Sequence, residues 1–72
     1  METTVELATE HVPLAGLLKL AGVADSGGHA KHLVQAGLVR VDGEPETRRG
    51  AKIRPGAVVD VDTDPPVRIA VT

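Results

Sequence analysis

Apolar residues recur along this chain with two different periods, and the change of period marks out its elements. Leu14, Leu17, Leu18 and Ala21 stand three or four apart, the spacing that puts side chains on one helical face. Pro13 suits the first turn of that helix, where a missing N–H costs nothing. Gly22 can close it in a left-handed conformation. A second helix starts from Ser26, whose hydroxyl can take a free N–H of the first turn. Ala30, Leu33 and Val34 form its inward stripe, and Gly37 ends it. Beyond Gly37 the period falls to two. Strands are expected over residues 38–41, 58–62 and 67–71, where Val59 and Val61 alternate with aspartates and Val67, Ile69 and Val71 with Arg68 and Ala70. A further short strand is expected over residues 3–8, from the alternation of Val5 and Leu7 with Thr4 and Glu6.

Turn residues connect these segments. Asp42-Gly43 is a strong hairpin signal. Residues 44–50 are polar, interrupted by Pro45, and read as an extended arm or loop, and Pro55-Gly56 marks another turn. The expected fold is α/β in the broad sense, an α+β domain with two packed helices against a small, curled, mostly antiparallel sheet. Its expected core is Leu14, Leu17, Leu18, Leu33, Val34, Val39, Val41, Val59, Val61 and Ile69.

Length and composition narrow the possible functions. Residues 1–72 make one domain, and a chain this short buries only about 60% of the surface its unfolded form exposes. There is no cysteine, so no disulfide or thiolate metal site is available, and without Phe, Tyr or Trp there is no such platform for stacking a single-stranded base, apart from arginine planes. No apolar run approaches the roughly 20 residues that cross a membrane, and the acidic start lacks a basic, then hydrophobic, leader. A cytoplasmic monomer with no membrane partner is the expectation.

Charge is distributed unevenly. Residues 29–54 hold six Lys or Arg against three acids, whereas the first 28 residues hold one Lys against four acids and the last 18 one Arg against three. A basic segment within a chain of net charge -2 suggests a docking surface for a polyanion. Lys31 would stand on the second helix and Arg48-Arg49 on the loop, so folding could present cations from both. Arginine grips a phosphate through two N–H groups, whereas lysine acts as a mobile point charge. Gly27 and Gly28 would let a phosphate approach the helix N-terminus closely.

Other chemistries are poorly supported. His29 and His32 sit three apart on a helix, but zinc needs three or four ligands and the one remaining histidine, His11, precedes the first helix. Asp60, Asp62 and Asp64 lack the glycine and closing glutamate of a calcium loop. Ser26 is better used as a helix cap than as a nucleophile, since nothing orients a base beside it. The Gly27-Gly28 pair follows no strand and lacks the lysine of a nucleotide loop. The expectation is a protein that is not an enzyme and uses no cofactor or metal.

The elements in order, with their residues, resemble the ribosomal protein S-four type RNA-binding domain, the alpha-L motif. The matching pieces are the Leu14/Leu17/Leu18 helix ending at Gly22, then Ser26, Ala30, Leu33 and Gly37, then Val39-x-Val41-Asp42-Gly43 and Lys52-Ile53-x-x-Gly56. The runs SGGHAK and VRVDGEPETRR are similar to the small stand-alone YbcJ-like members. The core of the resemblance covers residues 13–61. It implies that the second helix and the loop contact structured RNA, ribosomal or transfer, through His29, Lys31, His32, Arg48, Arg49 and Lys52. Gly27, Gly28, Arg40 and Arg54 are further candidate contacts, and a ribosomal subunit is a candidate partner. Many members carry an arginine directly after the capping serine, where this chain has Gly27, and another opening the first helix, which this chain lacks. A rival expectation is an adaptor that docks a basic ribosomal or assembly protein on an acidic face of Glu2, Glu6, Glu10, Asp60, Asp62 and Asp64.

Overall fold

A computed structural model describes residues 1–72. The order of elements is β1 (Glu2–Val5), β2 (Val12–Pro13), α1 (Leu14–Leu20), α2 (Gly27–Gln35), β3 (Val39–Val41), β4 (Glu44–Pro45), β5 (Lys52–Ile53), β6 (Val58–Val61) and β7 (Val67–Val71). Both helices end as the glycines predict. Gly22 and Gly37 take φ of 75° and 79°. In each case the glycine N–H and the next one turn back to carbonyls of the last turn: Gly22 to Lys19, Val23 to Leu18, Gly37 to Val34 and Leu38 to Leu33. This closure satisfies carbonyls that a helix end otherwise leaves free. Ser26 caps α2 through its Oγ, which accepts the His29 N–H at 3.1 Å.

The main sheet has five strands in the order β1-β7-β6-β3-β4. All pairings are antiparallel except β1 with β7, which is parallel. Asp42 and Gly43, at φ 51° and 85°, make the two-residue hairpin between β3 and β4. One face of the sheet presents Val5, Val39, Val59, Val61, Val67, Ile69 and Val71, which join Leu14, Leu17, Leu18, Ala30, Leu33 and Val34 of the helices in a single apolar core. No polar or charged residue is buried, so every candidate functional group lies at the surface. Val41, expected in the core, is only half-buried because it sits where the hairpin leaves the helices.

The sheet is mixed and open, which corrects the expected curled one. Its edge strands, β1 and β4, lie at opposite ends of the order and never meet. Two features of the sequence account for this. Pro45 offers no N–H on the outer side of the two-residue β4, and only one more residue, Glu46, donates to β3, through its N–H to the Val39 carbonyl at 3.0 Å. The chain then leaves the sheet, and Lys52–Ile53 pairs instead with Val12–Pro13 in a separate two-stranded sheet. At the other end the first strand adds alongside the last. That pairing is non-local, and alternation within one strand carries no sign of it.

Candidate nucleic-acid interface

The basic loop is fastened to α1 by its main chain. Pro13 offers no side-chain cap, and the Leu14 and Ala15 N–H groups donate instead to the carbonyls of Ala51 and Arg49, both at 2.9 Å. The Lys52–Ile53 pairing with Val12–Pro13 continues this attachment, and Ile53 is buried. α2 also packs on α1. Lys31 and His32 on α2, and Arg49 and Lys52 on the loop, are therefore carried by segments that share one support. Lys52 and Arg54 flank Ile53 and line one open cleft of about 590 Å³, together with Asp42 and Pro55.

The ten candidate residues differ in what their side chains already do. Lys31, Arg49, Lys52 and Arg54 are exposed and form none of the three ion pairs in the molecule. His32 is exposed in the last turn of α2. His29 helps to fix the start of α2, since its Nδ1 accepts the Asp25 N–H at 3.2 Å while its main-chain N–H donates to Ser26. Its Nε2 remains as the free donor. Gly27 and Gly28 open α2 and are exposed, with nothing within 4 Å of a Cβ placed on Gly27.

Two of the arginines are already engaged. Arg48 Nη2 donates to Glu46 Oε1 at 3.1 Å, while its Nε and main-chain N–H donate to Oε2 at 3.2 and 3.0 Å. The Arg48 side-chain bond, followed by its main-chain N–H, holds the Glu46 carboxyl below the ordinary carboxylate range. Glu46 is mostly covered, with its side chain 18% exposed, but Arg48 remains 79% exposed. Arg40 lies on the sheet face away from the helices and forks onto Asp62, with Nη2–Oδ1 at 2.9 Å, which lowers the Asp62 pKa. Arg40 is thus separated from the helix and loop cations both by its face and by its partner.

The acidic face is also altered by pairing. Asp60 accepts from Arg68 Nε at 2.8 Å and Asp62 from Arg40, so two of its six carboxylates are matched by cations on the same sheet face. The pattern of side chains along the sequence carries no sign that loop carbonyls cap α1. Nor does it single out Lys19, a lone cation in an acidic stretch. Lys19 is exposed on α1 and lines a shallow groove with Val12, Gly16 and Leu20.

The molecule thus has two helices on an open mixed sheet, unpaired cations on one helix and on a segment tied to the other, and no buried polar site. The chain belongs to the S4 domain family, which matches residues 5–70. It is 40% identical over 62 residues to "Probable ribosome maturation protein RlbA" of Bacillus subtilis (strain 168), covering 86% of this chain and 87% of that one. It is 49% identical over 49 residues to "Putative RNA-binding protein YbcJ" of Escherichia coli (strain K12), covering 68% and 70%. The names of these relatives describe ribosome maturation and RNA binding, consistent with a non-catalytic chain. No helix is long and apolar enough to cross a membrane.

Proposed function

We propose that residues 1–72 form a single RNA-binding domain, with its core at 13–61, of the small stand-alone YbcJ-like kind. It grips the phosphates of structured ribosomal or transfer RNA and works on or beside a ribosomal subunit in the cytoplasm, as a monomer. Lys31, Arg49 and Lys52 supply the main contacts. His32 and the free Nε2 of His29 add donors, and Arg48 joins by sharing its guanidinium between Glu46 and a phosphate. Gly27, Gly28 and Arg54 border this surface, and Arg40 serves the sheet instead. The observation that carries the reading is the division of cations: those facing out from the sheet are paired with aspartates, whereas Lys31, Arg49, Lys52 and Arg54 are unpaired. The names of the relatives point the same way. The contacts described are to phosphate, which fixes position and carries little sequence information, so recognition would be of folded shape.

The test is a double substitution, Arg49→Ala with Lys52→Ala, titrated with a transfer RNA and with ribosomal RNA fragments over a range of potassium chloride. Both side chains are exposed and outside every hydrogen bond seen in the fold, so thermal stability should hardly change. The slope of log K against log salt should become shallower by about 1.4 to 1.8, since each of the two lost phosphate contacts removes roughly 0.7 to 0.9. Unchanged affinity and slope would rule this surface out.

A further inference from the structure

The outer face of the main sheet carries a row of alternating charge that stops at an open edge. Arg40 lies opposite Asp60, Asp60 opposite Arg68, and Arg68 opposite Glu2, in register across four adjacent strands. Opposite charges directly across a pair of strands attract, and like charges there repel. The Arg68–Asp60 contact at 2.8 Å is one link of this row, and Glu2 further favours the Arg68 charge. Glu2 ends the row with no strand beyond it, because β1 is the edge of the sheet.

The main chain of that edge is unpaired as well. Toward β7, the Met1 carbonyl accepts from Arg68, the Val5 carbonyl accepts from Thr72, and the Leu7 N–H donates to Thr72. Alternate residues of a strand turn their main-chain groups to the same neighbour. Glu2, Thr4 and Glu6 therefore turn their N–H and C=O groups outward, and all three are exposed. The opposite edge is blunted by the two-residue β4 and its Pro45.

We propose that β1 accepts an extended, basic polypeptide segment of another protein as a sixth, antiparallel strand. Main-chain bonds to Glu2, Thr4 and Glu6 supply the attachment, and lysines or arginines placed opposite Glu2 and Glu6 continue the charge row. The charges also select against the commonest alternative. A second copy pairing antiparallel about Thr4 would set Glu2 against the partner copy's Glu6 twice over, so the edge repels itself and favours a cationic strand. This surface lies on the sheet, apart from the helix and loop cations, and does not depend on the RNA-binding reading.

The experiment follows amide hydrogen exchange by NMR in the full chain with the blocked peptide GSKVTVKSG. Two controls are GSEVTVESG, which reverses its charges, and GSKVPVKSG, which removes the central N–H. At about 1 mM, the weak end for so small a contact, the basic peptide should slow exchange at Glu2, Thr4 and Glu6. Thr3 and Val5, already turned to β7, should not change, and neither control should give protection. Glu2→Lys combined with Glu6→Lys, two exposed positions, should transfer the preference to the acidic peptide. Four results with the peptides would overturn the proposal, and a fifth with RNA. They are an absence of protection with the basic peptide, equal protection by the acidic one, shifts spread over the acidic side chains without protection at the three even-numbered amides, and protection that grows with protein concentration alone. Protection of those amides by RNA in place of the peptide would assign the edge to the nucleic acid and equally overturn it.

Discussion

Replacing Gly27 by arginine restores a cation where many S-four type domains carry one, and the structure lets its cost be separated from its effect. Gly27 is the first residue of α2, its φ is not positive, and a side chain there meets open space. In a helix interior, arginine is more favourable than glycine by roughly 0.6 to 0.8 kcal/mol, and less so in the first turn. Opposing this, a cation at a helix N-terminus faces the positive end of the helix dipole, at about 0.3 to 1 kcal/mol. The two nearly cancel, so the urea midpoint should move little in either direction. RNA binding should change more clearly. One further exposed phosphate contact is worth about 0.5 to 1 kcal/mol, a two- to fivefold gain in affinity. It should steepen the dependence of log K on log salt by roughly 0.7 to 0.9. Fluorescence anisotropy with a folded transfer RNA and ribosomal RNA fragments across a potassium chloride series reads both quantities. Gly27→Gln provides the uncharged control in the same space. If the arginine variant leaves the slope unchanged, or the glutamine variant tightens binding equally, the N-terminus of α2 does not face phosphate.

Three other perturbations test the fold beneath that surface. Leu17→Ala removes a fully buried side chain and should cost about 2 to 5 kcal/mol, against a total of roughly 4 to 11 for a domain this size, so an unchanged urea midpoint would remove Leu17 from the core. Ser26→Ala takes away the acceptor for the His29 N–H and should cost about 0.5 to 2 kcal/mol, seen as faster amide exchange in the first turn of α2. Acid should weaken the fold in a defined direction. Glu46 and Asp62 are held below their ordinary pKa by Arg48 and Arg40, so the stability they contribute is present above the ordinary carboxylate range near pH 4 and is lost as pH falls through the lower folded values. Melting temperatures measured from pH 7 to 2 should hold down to about pH 5 and then decline, and Asp62→Asn should reduce the decline.

Local pattern made the helices, their caps and the hairpin legible. Ser26, Gly22, Gly37 and Asp42-Gly43 each act through bonds to residues within a few positions, and each does what its chemistry predicts. Strand β7 matches its expected bounds, and β6 falls one residue short of its own. The parallel pairing of β1 with β7, the short β2–β5 sheet and the openness of the main sheet were not legible. They join segments far apart in sequence, through main-chain groups that every residue possesses. The same limit applies to the site. A run of arginines shows that charge is concentrated, but only the fold shows that Arg40 is held by Asp62 and Arg48 by Glu46 while Arg49 is unpaired.

That difference in pairing follows from where each cation sits in the secondary structure. On the sheet, the register sets Arg40 beside Asp60 and Arg68 beside both Asp60 and Glu2, and strands lie close enough together for side chains of opposite sign to meet. Lys31 has no such neighbour: the positions three and four away on its helix are Gly27, Gly28, Val34 and Gln35, none of which is acidic. Arg49 is set in a loop that gives carbonyls to α1, and Glu46, three residues before it, is occupied by Arg48. The sheet therefore neutralises its own cations and leaves glutamates at its edge, while the helix and loop keep theirs available. One short chain of net charge -2 thereby presents a cationic surface and an anionic one on different elements.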